Sequence, residues 1–148
     1  MIERIKALVL GGGGAVPEKA METDVAAVAL LIEAAIMDGD FGAAERAAIA
    51  ALIEERFGLA GADVEDLITA GSMAVEKSHQ LFAFTRVLKQ GFDAGQRQQM
   101  IEMLWEVAYA DGVVHDYEAN LVRRVCGLLH VSDRDSGAAK KRVLAKLQ

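Results

Sequence analysis

At 148 residues, 53% hydrophobic and 26% charged, the chain has the length and apolar content of one folded domain, which excludes a disordered polypeptide. Its 22 acidic against 16 basic residues leave a net charge of −6, which argues against a nucleic-acid partner because phosphate binding needs a basic surface. The single Cys126 excludes an internal disulfide and fits a reducing, cytoplasmic compartment.

One proline and many Ala, Leu, Glu and Arg residues point to helices, and aromatics at 5% leave the core to aliphatics, Met and Ala. Residues 1–20 read as a short N-terminal helix followed by a glycine-rich linker. Ile2, Ile5 and Val9 share one face of that helix, which could rest on the domain or on a membrane surface. Arg4 and Lys6 ahead of a short apolar run faintly resemble a signal peptide, but the run breaks into Gly11–Gly14. That glycine run follows no strand and lacks a Lys-Ser/Thr ending, so it reads as a linker and not a phosphate loop.

Residues 21–148 read as one helical domain. Thr23 is the expected N-cap of a helix, or the helix starts slightly earlier, with Val25, Val28, Leu31, Ile32 and Ala35 inward. The run Val25–Ile32 is the nearest approach to a membrane span, and Glu33 stops it far short. After Met37-Asp38-Gly39 a second helix runs from about Ala43 to Phe57, its stripe Ile49, Leu52, Ile53 and Phe57, and Gly58 ends it. A third starts at Asp63 with Val64, Leu67, Ile68 and Met73 inward, and continues or breaks near Gly71-Ser72. A fourth carries Leu81, Phe82, Phe84, Thr85 and Leu88 up to Gly91. Asp93 caps the longest, Ala94 to Ala110, with Met100, Ile101, Leu104, Trp105 and Ala108 as core. After Asp111-Gly112 another runs from Asp116 to Leu129, and Ser132 caps the last. Lys140, Lys141, Arg142 and Lys146 crowd the end of that helix, where cations suit the dipole. No strand pattern occurs, so the expected fold is an all-α single-domain bundle of seven or eight helices.

Two of the connections match at one fixed offset. Asp38 falls on Asp111, Gly39 on Gly112, Glu45 on Glu118 and, upstream, Glu33 on Glu106. Ile49, Leu52 and Ile53 fall on Val122, Val125 and Cys126. The chain uses one helix–turn–helix device twice, with Asp-Gly-x5-Glu in each turn. A carboxylate at a helix C-terminus faces the negative end of the dipole, so each Asp asks for a partner. One partner is the loop itself: Asp38 and Asp111 accept backbone amides, while Glu45 and Glu118 cap the amides of Gly42 and His115. The other is a cation, held by Asp38, Asp40 and Glu45 in the first turn and by Asp111, His115 and Glu118, beside Asp116, in the second. Oxygen ligands of that kind suit calcium or magnesium better than zinc. The spacing is not that of an EF-hand, since Ala43 and Ile49 stand where Gly and Glu would be required.

This doubled acidic turn, in an acidic helical chain of this length, resembles the TerB-like family linked to tellurite resistance. It is also similar to the TerB-like domain of membrane-associated DnaJ-type co-chaperones. The resemblance covers about Thr23 to the C-terminus. It implies a non-enzymatic, stress-related helical binding module that works at the inner face of the membrane. It also implies an acidic metal site at Asp38, Glu45, Asp111 and Glu118. An interaction scaffold for a protein partner, with purely structural turns, is the alternative. A metal-dependent hydrolase is disfavoured, because no second shell or phosphate-binding loop accompanies the carboxylates.

Other residues have plainer readings. Cys126 is a small buried hydrophobe. Trp105 and Tyr109 pack beneath the second turn. His130, opposite Phe57 in the repeat, is expected partly buried, and His79 near a helix start. Arg123, Arg124, Lys140, Lys141 and Arg142 form a solvated basic face.

Overall fold

The computed structural model describes residues 22–37, 41–77, 81–110 and 116–147, all regular structure among them being helical. The elements are α1 (Thr23–Met37), α2 (Ala43–Phe57), α3 (Ala62–Lys77), α4 (Leu81–Gly91), α5 (Ala94–Ala108), α6 (Asp116–Leu129) and α7 (Asp133–Lys146). The predicted N-terminal helix and linker lie outside the described residues.

The helix ends follow the local chemistry. Asp93 accepts the Gln96 amide at 2.8 Å and Gln96 Oε1 accepts the Asp93 amide at 2.9 Å, a complete capping box for α5. Ser132 Oγ accepts the Asp135 amide at 3.1 Å and starts α7. Gly58, at φ 67°, takes the left-handed position past α2. Of the two starts expected for α1 the earlier holds: the Ala26 amide donates to the Glu22 carbonyl, so Thr23 is already helical. Helix α3 runs unbroken through Gly71-Ser72. Helix α5 stops two residues short of the expected end, with Tyr109 at φ −90° and ψ 6°.

Helix α1 is the axis of the bundle. Every residue from Val25 to Ile32 is at most 4% exposed, and α2, α3, α4, α5 and α6 all pack against it. A helix that is apolar all round is a buried helix, so the inward stripe expected from periodicity understates this one. Helix α3 comes close to α1 at Gly71, where a Cβ would stand 2.9 Å from Val28 Cγ1 and 3.2 Å from the Ala29 nitrogen. Leu67, Ile68, Phe84, Leu88, Met100, Ile101 and Leu104 close the core around α1. Two expected core residues face out instead, Met73 at 45% and Phe82 at 60% exposure. Their neighbours Ala74 and Leu81 are buried, and a helix turns only one side to the core.

The repeat is visible in the packing. Ile49, Leu52 and Ile53 of α2 and their equivalents Val122, Val125 and Cys126 of α6 are all buried. The second helices of the hairpins α1–α2 and α5–α6 therefore turn matching positions inward. No helix among the described residues is long and apolar enough to cross a membrane.

Candidate functional site

The two Asp-Gly turns join α1 to α2 and α5 to α6. Asp38, Asp40, Asp111 and His115 lie outside the described residues, as does His79. Glu118 belongs to the first turn of α6, but its side chain is outside the described set. Glu45 is therefore the one proposed ligand whose side chain is described. Its Oε1 accepts the Gly42 amide at 3.2 Å, three residues back. That is the expected cap, and a carboxylate there also meets the positive end of α2. Gly42 has no side chain to complete a box. Phe41, half-buried, packs against the core just before α2 starts.

The end of α5 carries two aromatics. Trp105 is 6% exposed and stands 6.3 Å from Tyr109, centroid to centroid, with the rings tilted by 36°. The Tyr109 and Ala110 amides donate to the Trp105 and Val107 carbonyls, which ties the end of α5 down. Among the described residues no group of three or more His, Cys, Asp or Glu could hold a metal ion.

One charged site was not anticipated. Glu102, 9% exposed in its side chain, accepts Arg56 Nη2 on Oε2 and Arg142 Nε on Oε1, each at 2.5 Å. Glu106, one turn on, takes Lys146 Nζ at 3.0 Å and lies 3.5 Å from Arg56. Two carboxylates of α5 thus face a cation from α2 and two from α7. Burial opposes the charge on Glu102, but the hydrogen bonds from Arg56 and Arg142 and their charges outweigh it and hold the carboxyl below the ordinary glutamate range. Burial likewise opposes the charge on Arg56, and its bond to Glu102 with the charges of Glu102, Glu106 and Glu55 pushes its pKa up. A carboxylate so matched ties α2 and α7 to α5, as a joint between three helices.

The basic residues of α7 were expected to answer the helix dipole. Arg142 and Lys146 reach across to α5 instead, and Lys140 Nζ stands 5.1 Å over the Trp105 ring. The available signal was Glu102 and Glu106 at i and i+4, with Glu102 inside the apolar run Met100–Leu104. His130 also departs from expectation. It is exposed, at φ 59°, in the left-handed position past α6, and Val131 turns inward with its amide on the Cys126 carbonyl at 2.9 Å. Cys126 is buried as expected. Burial pushes its thiol pKa up despite a hydrogen bond with Ser136.

Glu102→Gln is expected to cost about 2–3 kcal/mol at neutral pH, below the full penalty of a broken buried pair because Arg142 is half-exposed. The folded pKa of Glu102 is depressed, so its contribution is complete above the ordinary value of about 4.3 and lost as pH falls through the lower folded value. Urea midpoints taken from neutral pH down into that range check both points: the gap between wild type and variant should close in acid.

A family model described as tellurite resistance protein TerB matches residues 24–141, most of the chain. The match includes both turns, Arg56, Glu102 and Glu106, and it ends just before Arg142 and Lys146. No curated protein and no solved structure matches the chain.

Proposed function

The chain belongs to the TerB family, and from that premise we propose a non-enzymatic, stress-associated binding module whose two Asp-Gly turns bind a divalent cation. The observation that carries this reading is the repeated Asp-Gly-x5-Glu, followed each time by a helix buried at the same three positions. The ligands would be Asp38, Asp40 and Glu45 from one turn and Asp111, His115 and Glu118 from the other. Carboxylates dominate that set, so calcium or magnesium fits it better than zinc. The Gly42 amide engages one oxygen of Glu45 and steadies the carboxylate, leaving its second oxygen for the ion. Work in tellurite or general stress resistance, at the cytoplasmic face of the membrane, is part of the same proposal.

The Glu45–Gly42 cap also supports a second reading. A carboxylate that caps its own helix has a structural task already. In that case both turns are rigid joints and the domain is an interaction scaffold for a protein partner.

Titration of the metal-stripped protein with calcium, magnesium and zinc, followed by amide NMR, separates the two. The cation reading expects shifts clustered at Gly39 and Gly112. It also expects Asp38→Asn or Asp111→Asn to weaken binding by about tenfold or more. No shift at physiological ion concentrations would overturn that reading and leave the scaffold. A pull-down with and without residues 1–20 then tests the scaffold, and enrichment of no partner by either form would count against it.

A further inference from the structure

Helix α7 is held unlike the rest of the bundle. Its buried residues are Ser136, Ala139 and Val143, none of them large. Its other ties are polar. Arg142 and Lys146 pair with Glu102 and Glu106, Lys140 covers the Trp105 ring, and Gln98 donates to Asp135 at 3.3 Å. Both ion-pairing side chains of α7 are about half exposed, at 54% and 51%, so salt reaches them. The core around α1 depends on apolar burial and feels salt far less. An element with few buried apolar contacts opens more readily than one with many.

What α7 covers is specific. Ser136 Oγ accepts the Trp105 indole N–H at 3.2 Å and is also hydrogen-bonded to the Cys126 thiol. Trp105 is 6% exposed and Cys126 2%. One hydroxyl of α7 therefore seats on the chain's single tryptophan and its single cysteine at once.

We propose that α7 is a strap that opens as a unit while the α1-centred core stays folded, baring Trp105, Cys126 and the paired carboxylates of α5, and that its closure is set by the ion pairs from Arg142 and Lys146. The strap's ionic residues lie beyond the stretch matched by the family model, so the latch is read from this chain's own contacts. The open face would be acidic with an indole at its centre. That is complementary to what now covers it, a helix with a small-residue stripe and flanking Arg and Lys.

Thiol labelling of Cys126 in the full chain measures the opening directly. Its rate is followed with an aromatic disulfide reagent against urea, beside the global unfolding curve from helix content. Acrylamide quenching of Trp105 is read in parallel. The strap predicts labelling through an opening whose urea dependence is a small fraction of the global one. Salt at about 1 M, or the double change Arg142→Gln with Lys146→Gln, should speed labelling about tenfold and raise quenching. The urea slope of global unfolding should stay unchanged. Labelling that follows global unfolding in both slope and midpoint would overturn the proposal. Salt-insensitive labelling and quenching, in wild type and variant alike, would overturn it too. Lys141→Gln, at an exposed site, serves as the charge control and should leave both rates where they are.

Discussion

Replacing Gly71 by leucine is expected to cost about 3 kcal/mol or more, enough to unfold a large fraction of a marginally stable domain. Helix propensity alone would favour the change by about 1 kcal/mol, since glycine is a poor helix former. Contact decides against it. The first added carbon would already stand 2.9 Å from Val28 Cγ1, 3.2 Å from the Ala29 backbone nitrogen and 3.3 Å from Ile32 Cδ1. Val28 is β-branched, stiff and fully buried, and a backbone atom cannot step aside without moving α1. Gly71→Ala should cost less, about 1–2 kcal/mol, as its propensity gain offsets part of the clash. Val28→Ala in the same chain should recover part of that loss, because the two positions touch. Urea midpoints for the two singles and the double give the coupling directly. Gly71→Ala at or above wild-type stability would mean that α1 and α3 can move apart at little cost.

Phe84→Ala is expected to lose about 3–5 kcal/mol, with no loss of urea slope if the bundle stays intact. Phe84 is fully buried and heads the largest buried side chains, so its removal leaves a cavity that close-packed neighbours cannot collapse into. Phe84→Leu should cost under about 1.5 kcal/mol, because most of the volume remains. Phe82 provides the contrast two residues away. At 60% exposure, Phe82→Ala should change stability by no more than about 0.5 kcal/mol. Equal losses at the two positions, measured by thermal or chemical denaturation, would refute the placement of α4.

Much of this architecture was legible in the chain because the signals were local. Gly58 and Leu129 bound α2 and α6 where expected, and Ser132 and Asp93 cap the helices they precede. The repeat carried the burial pattern from Ile49, Leu52 and Ile53 to Val122, Val125 and Cys126 without error. It misled at its edge. His130 answers Phe57 by alignment, but it takes the left-handed turn position that Gly58 holds in the first copy, and Val131 goes inward. The run Val25–Ile32 did signal a helix buried on every side, yet a search for one apolar stripe reads only part of such a run.

The charged cluster was harder to foresee. Arg56, Glu102 and Arg142 are separated by tens of residues, and pairing over such distances is fixed by the crossing of helices, which periodicity does not encode. Of the proposed cation ligands, the Glu45 cap followed from first-turn chemistry and is seen at Gly42. Asp38, Asp40, Asp111 and His115 fall on residues outside those described, so their proposed roles rest on spacing, joined for Asp38 and Asp111 by the family resemblance.

The central position of α1 has a cost in biosynthesis. The most apolar helix of the described bundle precedes in sequence every helix that covers it. Its cover comes from α2 through α6, and α5 is complete only at Ala108. At about 5–20 residues per second, the ribosome leaves this stretch without its full shelter for several seconds. A nascent chain of this design is expected to expose an apolar helix during that interval. Truncations that end before α5 should accordingly be degraded or aggregate when expressed, whatever the affinity of the acidic turns.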